Sequence, residues 1–360
     1  MNKDKNNFLS TAKGIGIVLM VIGHCGVPKD IDKFIYQFHM PLFFFCSGYF
    51  LKNIQDSGSL ISVYKNKING LYFKYVLWSI LFLSLHNYFI DLNLYNDAIS
   101  NWAEYPYNAQ QFINKAMKII ITMNGHEQLV RSFWFFKQLF LASILGSTIL
   151  FITNKVTNHK HNHLFVFIGL FLLTIISKYY NWAIPAIWDI SLVFMSATFY
   201  YSGYIIKRYH ILGKLNNTTC SIVLFTILMI GVYVLPWTNM LEYSTITVIP
   251  FFAVAFSGTI LTLNIAQKLE TYKTRHIFYY LGQNTMVIFA LHMLCFKIGN
   301  LLKIIIYDLP MQRLAEFQII EDNNTFFWVV YTIIGIAIPL LFDYMMKRSN
   351  YTRMIWKFFV

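Results

Sequence analysis

The sequence predicts an all-α fold: a single polytopic membrane domain over residues 1–360, built as a bundle of about ten transmembrane helices. Three observations predict it. Hydrophobic residues make up 57% of the chain and charged residues 12%, too apolar a balance for a water-soluble domain. The apolar residues gather into runs of about 15 to 24, most of them long enough to cross a hydrocarbon core of ~30 Å as helices; they lack the alternation that membrane strands require. The connections between runs alternate in charge, as the two sides of a membrane demand.

The first span is Lys13–Val27. It follows a basic tail and has no small-residue cleavage site, so it reads as an uncleaved helix. Phe34–Leu51 follows a short loop and contains Pro41, which removes a backbone donor and predicts a kink. Leu71–Ile90 is the third. The long connection from Asp91 to Ser132 holds the amphipathic stretch Phe112–Met123, whose apolar face suits a membrane surface or the cap of a cavity. Then come Phe133–Thr153, Leu164–Lys178, Ile187–Ile206, Thr219–Pro236, Tyr243–Ala266, Asn284–Ile306 and Thr325–Met346. No segment outside these spans is long enough for a separate soluble domain, and no internal repeat is visible.

The formal charge of +13 invites a nucleic-acid reading, which its distribution excludes. Of the 29 Lys and Arg residues, 19 fall on the side of the N-terminal tail and 7 on the other, while 11 of 16 acidic residues fall on that second side. This positive-inside pattern puts both termini in the cytoplasm. Anionic membrane lipid or an anionic cytoplasmic cofactor remain as partners of the basic side. Cys25, Cys46, Cys220 and Cys295 lie within spans without C-x-x-C spacing, so neither a disulfide framework nor a metal site is expected. The loop His159-Lys160-His161-Asn162-His163 lacks a carboxylate or cysteine partner and reads as a solvated cytoplasmic turn.

Polar groups inside a bilayer are costly, which makes each a functional candidate. His24 and His39 sit near the outer ends of the first two spans, at similar depth and able to face each other. Imidazole titrates near neutral pH and suits general-base work; the plainer alternative is a pair of hydrogen bonds that pack the bundle.

Lys13-Gly-Ile-Gly-Ile-Val-Leu-Met-Val-Ile-Gly-His24, followed by Phe38-His39-Met-Pro-Leu-Phe-Phe-Phe-Cys-Ser-Gly-Tyr-Phe50, resembles the opening of the acyltransferase-3 family, polytopic bacterial enzymes that O-acylate surface carbohydrates. Ser132-Phe-Trp134-Phe-Phe-Lys-Gln-Leu139 and Leu281-Gly-Gln-Asn284-Thr-Met-Val-Ile-Phe-Ala-Leu-His292 are similar to two later family segments. The resemblance runs from about residue 9 to residue 346. It implies a bacterial inner-membrane O-acyltransferase, most simply an O-acetyltransferase, with cytoplasmic acetyl-CoA as donor. The acceptor would be a hydroxyl of a cell-surface polysaccharide or its lipid-linked precursor. The chain departs from the family at its basic position, Lys13 for the commoner Arg, and carries Lys65, Lys67 and Lys74 where arginines are expected. An eleven-residue helical rise of about 16 Å puts Lys13 at the cytoplasmic face and His24 past the midplane.

The assignment that follows makes His24 and His39 catalytic, Lys13, Lys65, Lys67 and Lys74 ligands of the CoA phosphates, and Trp134 and His292 contacts of the acceptor. Three weaker motifs take structural readings. His86 and Asp91 have a His-x4-Asp spacing of the kind chance supplies; Asp189 is expected to pair with Lys137 or Lys178; Cys46 and Ser47 pack helices. The competing function is a proton-coupled transporter or flippase of a glycan or lipid that uses the same histidines; consumption of acyl-CoA separates the two.

Overall fold

The computed structural model describes residues 7–95, 105–125, 127–156, 162–184, 188–321 and 326–360. Helices follow one another along the chain: α1 (Asn7–Gly23), α2 (Lys29–Tyr36), α3 (His39–Tyr49), α4 (Ser57–Lys67), α5 (Phe73–Ser84), α6 (His86–Asp91), α7 (Ala109–Thr122), α8 (Trp134–Val156) and α9 (Asn162–Tyr179). A two-residue antiparallel ribbon, β1 (Ala183–Ile184) with β2 (Trp188–Asp189), leads into α10 (Ile190–Arg208) and α11 (Ile211–Leu215). The rest is α12 (Thr218–Val234), α13 (Val248–Leu269), α14 (Arg275–Gln283), α15 (Thr285–Tyr307), α16 (Phe327–Arg348) and α17 (Asn350–Trp356).

Among the described residues, five helical segments are long and apolar enough to cross a membrane: Gln128–Val156, Asn162–Tyr179, Val248–Leu269, Thr285–Tyr307 and Phe327–Arg348. The expected number was about ten. Helices α1 and α12, at 17 residues, fall just short. Helix α10 has 19 residues but carries Ser191, Ser196, Thr198 and Ser202, which lower its mean hydropathy. The expected second span is broken into α2 and α3 by a non-helical Phe38 (φ −145°), so Pro41 does not kink a continuous helix. It lies in the first turn of α3, where its missing N–H has no intrahelical partner to lose. The expected third span is likewise divided, into a π-helical turn Ile68–Tyr72, α5 and α6.

The contacts divide the chain into two units. The first comprises Met1–Met20, Lys29–Leu71 and Gln138–Gln283; the second comprises Val21–Pro28, Tyr72–Lys137 and Asn284–Val360. In the first unit α3 packs on α10 and α13, α9 on α10, and α12 on α13. Phe8, Leu9 and Ala12 of α1, Leu42, Phe45 and Cys46 of α3, and Ile260, Leu263 and Ala266 of α13 form one apolar core. The α3–α10 crossing is backbone to backbone. A Cβ on Gly48 would stand 1.6 Å from the Tyr200 carbonyl oxygen, and one on Gly203 would stand 2.2 Å from that of Phe45. Only hydrogen fits at either position.

In the second unit α15 packs on α16, and α7 packs on α5. Helix α7 realises the amphipathic stretch read from the sequence. Asn108 and Gln111 form a capping box at its start, and Ile113, Met117 and Ile121 are exposed along it. At the far end, Trp78 donates to the Phe359 carbonyl at 3.0 Å, and Trp356 donates to the Asp343 carboxylate at 2.8 Å.

Candidate functional site

Helix α1 closes at Gly23, and His24 lies in the turn that follows, its N–H donating to the Val21 carbonyl at 3.1 Å. Gly26, two residues on, takes φ +67°, a left-handed conformation that turns the chain back, with Ile319 packed where a side chain would stand. The turn brings His24 against His292 of α15: ring centroids are 5.4 Å apart, with 26° between the planes. Gln318 completes the group through a side-chain hydrogen bond to His24. These three residues, far apart in sequence, all belong to the second unit.

His292 is fully buried. Its Nδ1 lies 2.9 Å from the Phe289 carbonyl and 3.1 Å from that of Ile288. Carbonyls only accept, so Nδ1 carries the proton and Nε2 presents a lone pair. Among the described residues, that Nε2 has no hydrogen-bond partner. A buried acceptor left unmatched costs about 1–3 kcal/mol, a cost that a ligand hydroxyl in the right place would remove. His24, by contrast, is half-buried.

The loop that carries Gln318 is tied to α15 by its main chain. Lys297 donates to the Leu314 and Glu316 carbonyls at 3.1 and 2.8 Å, and Lys303 donates to that of Ile320 at 2.7 Å. Asn300 accepts from Ile320 N–H at 3.1 Å and from the Tyr331 hydroxyl at 2.7 Å. This is why α15 tolerates two buried lysines: each ammonium is satisfied by carbonyls. Phe133, Phe135 and Phe136, at and before the start of α8, surround Phe289, which lies 6.2 Å from His292. Trp134 itself is half-buried against Phe135, with 6.4 Å between ring centroids.

The remaining expected site residues are distributed as follows. His39, buried in the first unit, is oriented by Nδ1–H donation to the Ile35 carbonyl at 2.8 Å, and packs edge-on to Tyr36. Lys13, Lys65 and Lys67 also belong to the first unit, and Lys74 to the second. Lys13 does not open its helix as the sequence suggested, because α1 starts at Asn7; the long side chain lets its ammonium lie 5.9 Å from the Phe50 ring instead. Lys67 donates to Ser47 Oγ at 3.3 Å, and Lys65 is exposed.

Burial pushes the Lys67 ammonium, outside the membrane spans, down to about 8. It is charged below that pH and neutral above it. If it holds an anionic donor, kcat/KM for that donor should fall as pH rises through about 8, and in Lys67→Arg the fall should move beyond the working range. Initial rates against donor concentration across pH measure this. An identical alkaline limb in the Arg variant would remove Lys67 from donor binding.

Several motifs resolve differently from their sequence readings. His86 pairs with Glu127 at 2.5 Å and with the Tyr105 carbonyl at 2.9 Å, while Asp91 is exposed, so the His-x4-Asp spacing carries no catalytic pair. Asp189 lies 3.7 Å from Lys178, and Lys137 instead donates to Asn124 at 2.7 Å. Residues 159–161 lie outside the described residues. His163, expected in a solvated turn, is buried at the start of α9 and bonded to the Tyr201 hydroxyl at 2.8 Å. Gln318 was not foreseen, since nothing marks one loop glutamine among others. Lys297 and Lys303 did carry a signal, as ionisable residues within an apolar run.

Comparison with curated proteins and with solved structures gave no significant match. The acyltransferase-3 family, described as an acyltransferase domain, matches residues 6–344. That match covers nearly the whole chain, and the chain therefore belongs to the acyltransferase-3 family, as a membrane acyltransferase.

Proposed function

We propose that the protein O-acetylates a cell-surface polysaccharide or its lipid-linked precursor, with cytoplasmic acetyl-CoA as donor, in a bacterial cytoplasmic membrane with both termini inside. The observation that carries the chemistry is the imidazole pair of the second unit, with its unmatched Nε2 on His292. The acceptor hydroxyl gives its proton to an imidazole as its oxygen bonds the acyl carbonyl carbon. The C–S bond breaks, and the departing CoA thiolate takes a proton from the imidazolium, leaving an ester and free CoA. Either histidine of the pair would serve as that base. Because Nδ1 of His292 is held by carbonyls, its Nε2 is in the form that can accept. His39, oriented in the same way by the Ile35 carbonyl, is the further base. Trp134 offers a ring face on which a sugar can stack, and the ammonium groups of Lys13, Lys65 and Lys67 in the first unit would hold the donor's phosphates.

The test is transfer of radiolabelled acetyl from acetyl-CoA by membrane vesicles and by the purified protein in detergent, with surface glycan of the source cell as acceptor. Acetyl ester on the glycan and stoichiometric free CoA are expected. A protein that moves glycan across the bilayer while consuming no acyl-CoA would sink the transferase reading.

A further inference from the structure

Helix α9 ends in a way that fixes an aromatic ring. Asn181 takes φ +51°, its N–H donates to the Lys178 carbonyl at 3.3 Å, and the Trp182 N–H donates to that of Ser177 at 2.9 Å. This pair of bonds around a left-handed residue is a Schellman motif, and asparagine accepts that conformation more readily than most side chains. The chain then enters the ribbon, where Ala183 stands opposite Asp189 and the Ile190 N–H donates to the Trp182 carbonyl at 3.2 Å. Trp182 and Asp189 are thereby held together at the end of α9. Ser177, Lys178, Asn181, Trp182 and Asp189, with the first ribbon strand, line a cavity of about 530 Å³, wholly within the first unit. Small-molecule sites span about 300–1,000 Å³, so the cavity is of ligand size.

The lining offers a ring face beside a matched pair of charges. Exposed Trp182 is continued by exposed Tyr180, with 6.5 Å between ring centroids and 20° between the planes. Asp189 spends Oδ1 on the start of α10, accepting from the Leu192 N–H at 3.2 Å and from the Ser191 hydroxyl. Its Oδ2 faces the Lys178 ammonium at 3.7 Å, which is too far for a hydrogen bond, and that ammonium lies 4.4 Å from the Tyr243 ring. Each charge thus offsets the other while both keep hydrogen-bonding capacity. A cation would be repelled by Lys178 and an anion by Asp189. A neutral polyol suits both, donating one hydroxyl to Oδ2 and accepting at its neighbour from Lys178 Nζ, while its C–H face covers the indole. We propose that this cavity is a second carbohydrate site, which grips a neutral sugar residue of a longer glycan. It deepens the reading of a glycan acceptor and rests on it, but its residues are all in the first unit and the histidine pair is in the second. On the topology proposed above, this end of α9 faces outward, where surface glycan is found.

The experiment uses the full chain in a detergent without a sugar headgroup, with short oligosaccharides released from the source cell's surface glycan as probe. A tryptophan-directed oxidant should modify both Trp182 and Trp237, which are exposed, and the oligosaccharides should protect Trp182 alone. Trp182→Ala should bind them about tenfold more weakly, and Trp182→Phe nearly as well as the parent. In transfer, Trp182→Ala should raise KM for the oligosaccharide by a similar factor and leave kcat unchanged. Equal oxidation of Trp182 with and without oligosaccharide, or unchanged affinity in Trp182→Ala, would overturn the site and leave the ring as an anchor at the membrane interface. Protection by phosphocholine but not by oligosaccharide would overturn the sugar assignment in favour of a lipid headgroup. Trp182-dependent binding by a protein that forms no ester would instead count against the transferase reading alone. The oxidation arm needs no variant, so it decides even if Trp182→Ala fails to fold.

Discussion

His292→Asn should lower kcat by about 10²–10⁴-fold, the usual cost of losing a general base, while the protein folds and its donor KM holds. Asparagine keeps a donor near the position of Nδ1 for the Phe289 and Ile288 carbonyls, so α15 retains its local bonds. It has no lone pair at the position of Nε2 that can take a proton at neutral pH. His24→Ala should fall in the same range, through loss of the stacked partner that Gln318 holds. Kinetics in vesicles across pH decide the matter: the parent should lose activity on the acid side as the base protonates, and His292→Asn should lose that limb. Near-normal turnover by His292→Asn with the limb intact would return His292 to a packing role and leave the proton to His24 or His39.

Gly48→Ala should cost more in folding than a surface change, on the order of 3 kcal/mol, the upper end for overpacking. The added methyl would stand 1.6 Å from the Tyr200 carbonyl oxygen, and backbone cannot swing aside as a side-chain tip can. To relieve the clash α3 and α10 must separate, which opens the core that both helices line. Gly169→Ala is the control: among the described residues nothing beyond its own stretch of helix lies within 4 Å of the added carbon, and alanine is about 1 kcal/mol better than glycine inside a helix. Thermal unfolding in detergent, followed by size-exclusion recovery, compares the two. A Gly48→Ala protein that melts with the parent would mean that the crossing has slack.

Long apolar helices were the most legible part of the sequence: α13, α15 and α16 fall within a few residues of the runs expected for them. Composition carries that information because a membrane leaves little freedom in helix length. The break at Phe38 was not legible, since no Gly interrupts the run and Pro41 pointed to a kink within one helix rather than to a break before it. The start of α1 was misplaced because a charge was taken as the edge of the span, whereas a lysine can sit inside a helix and reach outward. The histidine expected at His24 does stand among other polar groups, but its partners come from α15 and from a distant loop, and no local pattern encodes which residues meet across such a separation.

The loop before α16 is fastened through the carbonyls of Leu314, Glu316 and Ile320, which Lys297 and Lys303 grip from α15. Every residue type has a carbonyl, so the fastening is indifferent to what the loop spells. Side-chain changes in this loop therefore leave the fastening itself intact, whatever they do to the hydrogen bond between Gln318 and His24. A substitution in this segment that preserves the path of the main chain leaves the two lysines and their grip unchanged.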